Sequence, residues 1–261
     1  MEPIGMLIDF TECIGCQECE EACRQQNDLP ENPSETDLSA RNYTVVLRHE
    51  PSGIYYRKLC MHCLVPSCVS ACPVGALTKS EQGPVLYDAG KCMGCRYCMI
   101  ACPFGVPRYQ WDKAVPLVSK CTFCSERVAA GGETACSWVC PMGATRMGER
   151  RHLLEIARDR IRRKPDRYYP HIYGETEAGG TSVLMLSSVP FKDLGFPTGV
   201  GVEPLPQLTW QVLSKLPGIV ITGGLLLGGV SWVINRRIQL EGQAREAAER
   251  KPAPEDEGRG E

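Results

Sequence analysis

Sixteen cysteines in a chain of 261 residues fall into four groups of four, with none left over. The most telling group is Cys92-Met-Gly-Cys95-Arg-Tyr-Cys98-Met-Ile-Ala-Cys102-Pro103. Thiolates are soft ligands, and C-x2-C-x2-C-x3-C-P is a spacing that binds [4Fe–4S] clusters. Three thiolates two residues apart on a tight loop can wrap three corners of one cubane. The fourth, at the start of a helical turn, points away toward a different cluster. Pro103 ends the ligand loop and removes an N–H that the turn could not use. The first group, Cys13, Cys16, Cys19 and Cys23, has the same spacing, with Arg24 in place of proline. The second, Cys60, Cys63, Cys68 and Cys72-Pro73, stretches the middle gap to four residues. The fourth, Cys121, Cys124, Cys136 and Cys140-Pro141, opens that gap to eleven, around Gly131 and Gly132.

Other cysteine chemistries fit less well. Zinc sites call for two thiolate pairs across a long spacer, whereas three thiolates packed this closely suit a cubane. Disulfides do not explain four similar runs, and no C-x-x-C is followed by the histidine of a c-type haem site. Iron, held through all sixteen cysteines, is the expected metal. Because the fourth cysteine of a run serves its partner's cluster, the runs must pair. Nested pairing joins the inner two runs and the outer two. It gives cluster A on Cys13, Cys16, Cys19 and Cys140, and cluster B on Cys121, Cys124, Cys136 and Cys23. Cluster C then falls on Cys60, Cys63, Cys68 and Cys102, and cluster D on Cys92, Cys95, Cys98 and Cys72. Sequential pairing, first with second and third with fourth, is an alternative that spacing alone leaves open.

The x4 gap of the second run and the x11 gap of the fourth resemble the four-cluster iron–sulfur subunits of membrane-bound respiratory oxidoreductases, over residues 5–190. Examples are the beta subunits of formate dehydrogenase-N and of dimethyl sulfoxide and nitrate reductases, and the hydrogenase-2 subunit. The segment from Tyr173-Gly174 to Thr181-Ser-Val-Leu184 resembles the hydrogenase type somewhat more closely. The resemblance implies nested pairing and, with no ligand cysteine replaced, four [4Fe–4S] clusters. It also implies a role in anaerobic respiration, carrying electrons between a catalytic subunit and a quinone-reactive integral membrane subunit. The favoured catalytic partner is a [NiFe] hydrogenase, and the alternative is a molybdopterin enzyme such as formate dehydrogenase.

The elements that must position these cysteines read as an α+β fold. Two ferredoxin-like dicluster modules with β-hairpin insertions are expected over residues 1–148, followed by a helix-and-strand extension over 149–200. Gly5 to Asp9 reads as a short strand before the first run. Residues 25–59 form an insertion, turn-rich at Pro30, Asn32, Pro33 and Ser34. A hairpin from Asn42–His49 and Ile54–Lys58 around Pro51-Ser-Gly53 completes it. Val74–Leu77 and Val85–Tyr87 suggest a second strand pair around Gln82-Gly83-Pro84. Residues 104–119, with Val106, Tyr109, Trp111, Val115 and Val118, suggest a third loop-and-strand insertion. Glu149 to Arg163 reads as a helix with Leu153, Leu154, Ala157 and Ile161 on one face, ended by Pro165. Its arginines are those of a solvated face. Ser182 to Leu186 reads as a strand. The 20 prolines and 26 glycines suit a loop-rich core built around inorganic clusters.

After a linker at 201–215, Leu216 to Ile234 carries no charge. It is long enough for about 28 Å of helix, close to a bilayer core. Trp210 and Trp232 sit near its ends, and Gly224 and Gly228 give one face a close approach to another helix. A single transmembrane helix at 216–234 is therefore expected, with a charged, disordered tail at 235–261. Arg236, Arg237 and Arg245 follow the span while Lys215 precedes it, which places the C-terminus in the cytoplasm and the cluster domain outside. The first arginine is Arg24, so no Sec or twin-arginine signal is expected, and export would ride on a partner's signal. A cytoplasmic cluster domain is the alternative. A net charge of −2 gives no argument for nucleic acid. There is no phosphate-binding glycine loop, no nucleophile–base pair and no nickel or molybdenum site, so no catalytic residue is assigned and the chain alone should turn over no substrate. His62 lies inside the second run, while His49, His152 and His171 have no partners at metal-ligand spacing. The rival reading from another class is a zinc-stabilised, membrane-tethered scaffold without redox activity. A freely acting ferredoxin is disfavoured by the anchor.

Overall fold

In a computed structural model of the chain, residues 2–30, 36–114 and 116–249 are described, with side chains up to 246. The expected turn at Asn32, Pro33 and Ser34, Val115, and the tail from 250 lie outside the described residues. In chain order the first elements are β1 (Ile4–Asp9), α1 (Glu18–Gln26), β2 (Thr44–Arg48), β3 (Tyr55–Leu59) and α2 (Ser67–Ser70). There follow β4 (Leu77–Lys79), β5 (Val85–Tyr87), α3 (Tyr97–Ala101), β6 (Arg108–Tyr109), β7 (Val118–Ser119), α4 (Ser125–Ala129) and α5 (Ala135–Trp138). The last are β8 (Thr145–Glu149), α6 (Arg150–Arg163), β9 (Val183–Leu186), α7 (Leu205–Leu213) and α8 (Leu216–Glu249). The chain divides into two compact units, Met1–Leu208 and Thr209–Glu261.

The first unit is built on β1, whose residues alternate between two faces as a strand requires. β1 is central in a three-stranded sheet, antiparallel to β8 and parallel to β9. Met6, Ile8 and Phe10 point to one side, into a core with Cys60, Cys121, Phe123, Cys136, Tyr173 and Phe191. Leu7 points to the other, where Leu153, Leu154 and Ala157 of α6 pack with Leu184 and Leu186. The sheet thus has a cysteine side and a helix side. Each such fully buried side chain contributes roughly 1.5–3 kcal/mol. On the cysteine side Tyr173 stacks on Phe191 at 4.9 Å between ring centroids, with Phe196 edge-on at 5.1 Å. Asp9 fixes the end of β1. Its buried carboxylate accepts hydrogen bonds from Thr11 N–H (3.0 Å), the Tyr168 hydroxyl (2.8 Å) and Arg160 Nη1 (2.5 Å), tying the entry to the first cysteine run onto α6. Gly174 has φ +95, and a Cβ there would lie 2.2 Å from the Val183 carbonyl oxygen, so only glycine fits where its loop crosses β9.

Three two-stranded antiparallel sheets, β2–β3, β4–β5 and β6–β7, lie between the cysteine runs. Several expectations are corrected. A strand over Val74–Leu77 is displaced to Leu77–Lys79, because the chain turns back on Cys72, with Gly75 N–H on its carbonyl (3.4 Å) and Ala76 N–H on its sulfur (3.2 Å). β8 was not expected, and it adds Glu149 to the sheet, so α6 begins one residue later, at Arg150. The linker at 201–215 contains α7, with Pro206 in the first turn where its missing N–H costs nothing. In the second unit α8 does not stop at Ile234 but continues to Glu249. Its last part is rich in Gln, Arg, Glu and Ala, good helix formers, and carries an i,i+4 pair between Arg237 and Glu241 at 3.0 Å. This helix is long and apolar enough to cross a membrane by length and composition. Ile219, Leu225, Leu227 and Val230 are exposed along it.

Candidate metal centres

Each cysteine run begins in a loop whose backbone is turned by a left-handed residue two positions after the first cysteine. These residues are Gly15 (φ +72), His62 (φ +48), Gly94 (φ +71) and Phe123 (φ +58). The first and third runs add Gln17 (φ +64) and Arg96 (φ +67), and the fourth adds Cys124 (φ +46). Alternating left-handed residues aim successive N–H groups inward, forming a nest for negative charge. Non-glycine residues in this region cost about 1–2 kcal/mol each, and such strain collects at functional sites. His62 and Phe123 are held there by burial and by each other, ring edge to ring face at 4.9 Å. Short helices follow the loops: Cys19 and Cys23 lie on α1, Cys68 on α2, Cys98 on α3 and Cys136 on α5.

The cysteines converge across runs. One cavity is lined by Cys13, Cys16, Cys19 and Cys140, with Ile8, Val46 and Arg57. Another is lined by Cys23, Cys121, Cys124 and Cys136, with Met6, Thr134 and the same Arg57. A third is lined by Cys72, Cys92, Cys95 and Cys98, with Tyr87, Tyr109 and Val118. Burial pushes the Cys63 thiol up, and Cys60, Cys102 and Cys68 add to the effect as its nearest charge neighbours. All sixteen cysteines are free of disulfides. Among the described residues no three His, Cys, Asp or Glu side chains close around a single-ion position; the sulfurs surround larger spaces.

The electrostatics suit an anionic occupant. Burial raises the Cys19 thiol to about 11 and the Cys23 thiol to about 12. Metal coordination removes the proton regardless. Cys72 goes the other way, because four backbone N–H groups outweigh its burial, Ala76 N–H at 3.2 Å among them. Phe123 and Ala135 N–H groups likewise point at the sulfurs of Cys121 (3.3 Å) and Cys124 (3.4 Å).

Three cations sit among the quartets. Arg57, only 3% exposed, donates to the hydroxyls of Thr44 (2.7 Å) and Thr145 (3.1 Å) and forms no ion pair with a carboxylate among the described residues. Burial alone would lower its pKa, but Cys136 and Cys19 as thiolates raise it above the ordinary value. Lys120 donates to the carbonyls of Val85 (2.6 Å) and Cys121 (3.0 Å). Lys79 donates to the carbonyls of Cys63 (2.7 Å) and Gly83. Burial lowers the Lys79 pKa to about 8 against the opposing pull of Cys63, Cys60 and Cys68. A buried charge is costly unless paired, and thiolate-bound clusters supply the missing negative charge. The donor set, the inward N–H groups and the unpaired cations fit iron–sulfur clusters. His62 is fully buried, accepts a hydrogen bond from Val85 N–H at Nδ1 (2.9 Å), and is kept neutral by burial, then by Lys120 and Lys79. His49, His152 and His171 pair instead with Ser52, Glu155 and Glu177.

Arg57, Lys79, Lys120, Tyr87 and Tyr109 were not foreseen as parts of the site. One signal was available for Arg57: it is a charged residue at an inward position of β3, where strand alternation calls for an apolar side chain.

Comparison with known proteins agrees with this chemistry. Residues 52–150 match the family described as a 4Fe-4S dicluster domain. A protein of Nitratidesulfovibrio vulgaris is 41% identical over 251 residues, covering 90% of this chain and 68% of the relative. The Hydrogenase-2 operon protein HybA of Escherichia coli O157:H7 is 38% identical over 270 residues, covering 84% of this chain and 82% of the relative. The iron-sulfur subunit of the nitrate-inducible formate dehydrogenase of Escherichia coli K12 is 37% identical over 200 residues, covering 69% of this chain and 67% of the relative. With ligand runs, buried cations and these relatives in agreement, the chain belongs to the family of iron–sulfur electron-transfer subunits of oxidoreductase complexes, which are not catalytic in themselves.

Proposed function

We propose that the chain holds four [4Fe–4S] clusters, A to D, on the nested quartets, in two ferredoxin-like modules, and relays electrons between a catalytic subunit and a quinone-reactive membrane subunit. The observation that carries this reading is the convergence of cysteines from different runs around shared spaces with unpaired buried cations beside them. When bound, each cluster takes up and gives back one electron. The chain's own residues hold, order and insulate them.

The order A, B, C, D is supported by the sulfurs that neighbour one another between quartets. Cys19 of A lies by Cys136 of B, Cys121 of B by Cys60 of C, and Cys68 of C by Cys98 of D. Arg57 lies between A and B, and the His62–Phe123 ring pair between B and C. At the A end Cys16 and Ile14 are exposed, and at the D end Met93 and Ile100, so both ends offer surface to a partner.

The single apolar helix anchors the chain, with the cluster domain on the outer face and the C-terminus in the cytoplasm. Arg236, Arg237 and Arg245 beyond the span support this orientation. External protease on intact spheroplasts tests it: cleavage of the cluster domain is expected, and full protection overturns it. The favoured catalytic partner is a [NiFe] hydrogenase, supported by the wider coverage of the hydrogenase-2 relative. Gentle detergent purification from anaerobic membranes, followed by metal analysis, tests the partner. Nickel with iron is expected. Molybdenum or tungsten instead assigns the chain to a formate dehydrogenase type of complex, and zinc without iron overturns the relay.

A further inference from the structure

The D quartet differs from the other three in its tyrosines. Tyr109, on β6 and only 3% exposed, places its hydroxyl 3.0 Å from the Cys98 sulfur. Tyr87, the last residue of β5, accepts Val118 N–H at its hydroxyl oxygen (3.2 Å) and lines the same cavity as Cys92. Since that oxygen already accepts from a backbone N–H, its own proton is free to point at sulfur. A metal-bound thiolate has no proton, so Tyr109 must be the donor to Cys98. Tyr109 is buried and Tyr87 half-buried, and a phenol keeps its proton at neutral pH. At the B quartet the corresponding contacts are backbone N–H groups and, at a longer 3.6 Å, the Asn27 amide and the Thr134 hydroxyl.

Hydrogen bonds to ligand sulfur raise a cluster's reduction potential, because they strengthen as the cluster gains negative charge. We infer that Tyr87 and Tyr109 are positioning residues that set the potential of cluster D by donating hydrogen bonds to the sulfurs of Cys92 and Cys98. The Ala76 N–H on the Cys72 sulfur already supplies part of the same stabilisation. The two hydroxyls add a component that belongs to side chains; removing that of Tyr109 touches no backbone hydrogen bond, whereas removing that of Tyr87 also takes the acceptor from Val118 N–H. Tyr87 and Tyr109 come from separate hairpins, β4–β5 and β6–β7, so their hydroxyls reach the quartet from two independent supports. The inference rests on the proposed placement of a [4Fe–4S] cluster at this quartet.

Tyr109→Phe and Tyr87→Phe, singly and together, test it in the full-length chain purified anaerobically. Iron content and an EPR-monitored potentiometric titration are the readouts. Each variant is expected to lower the equilibrium constant for reduction of one cluster about threefold to tenfold, up to ~59 mV for a one-electron couple. The other three potentials stay within about a twofold change. If a phenylalanine variant loses iron, 3-fluorotyrosine at position 109 replaces it. This keeps the ring and makes the hydroxyl a stronger donor, so the potential should move upward. Unchanged potentials with full iron, or a downward shift with fluorotyrosine, overturn the inference and leave the relay standing. Wild-type protein with no cluster at this quartet overturns the proposed function itself, and the inference with it.

Discussion

Replacing Arg57 by methionine removes a buried positive charge and little volume. The guanidinium lines both the A and B cavities and has the sulfurs of Cys136 and Cys19 as its strongest charge neighbours. Unit charges about 4–8 Å apart interact by roughly 2–4 kcal/mol at an effective dielectric of about 20. Salt screens little of this, because the group is buried. An added electron is spread over a whole cluster, so the lower half of that range applies to each. At ~59 mV for each tenfold change in a one-electron equilibrium, about 1.4 kcal/mol, the potentials of A and B should fall by roughly 85–125 mV. That of C, which has Lys79 and Lys120 for neighbours, should hold, as should that of D. Arg57→Lys keeps the charge and should recover most of the shift, though it loses the forked donation to Thr44 and Thr145. Potentiometric EPR titration of both variants, alongside iron analysis, is the assay. Fully assembled Arg57→Met protein with A and B within a twofold change of wild type, about 18 mV, refutes the charge-compensation argument.

Three further outcomes follow from the geometry. Cys140→Ser should remove the signal of cluster A while Cys121, Cys124 and Cys136 keep theirs, and Cys72→Ser should likewise strike D and spare C; in EPR-resolved iron loss, Cys140→Ser striking the cluster on Cys92, Cys95 and Cys98 and Cys72→Ser striking that on Cys13, Cys16 and Cys19 would establish sequential pairing. Gly15→Ala puts a Cβ 2.4 Å from the Tyr55 ring at φ +72, adding a clash to about 1–2 kcal/mol of left-handed strain. Gly94→Ala at φ +71 meets only the Pro116 carbonyl oxygen at 3.1 Å. Iron retention and thermal midpoint should therefore drop more for Gly15→Ala, and equal losses would contradict the steric account. A chain ended at Leu208 keeps the whole first unit. It should stay in the soluble fraction with its full iron content, and membrane association of that fragment would contradict anchoring by the helix.

The cysteine runs were legible because ligand spacing is a local property of sequence. So were β1, α6, β9 and the apolar helix, each of which carries its own hydrophobic period. β8 was missed because Thr145-Arg-Met-Gly-Glu149 has no apolar alternation. It is a strand only because β1, far away in the chain, supplies its hydrogen bonds. The shift of β4 has a similar origin, since the apolar run from Val74 to Leu77 turns back on Cys72 before pairing can begin. The length of α8 was underread because its charged half was weighed by composition, although its residues favour helix strongly. Arg57, Lys79 and Lys120 lie outside the cysteine runs, and only the inward position of Arg57 on β3 marks one of them in the sequence. The fold turns all three toward thiols and, among the described residues, gives none of them an ion pair with a carboxylate.

The most direct test of the four-cluster relay is iron and acid-labile sulfide analysis of the anaerobically purified full-length chain, with its visible spectrum before and after dithionite. Four quartets of cysteines imply about sixteen iron and sixteen sulfide per chain, with a brown absorption that dithionite bleaches. Colourless protein carrying zinc, or an iron count short of four clusters with all sixteen cysteines intact, would contradict it.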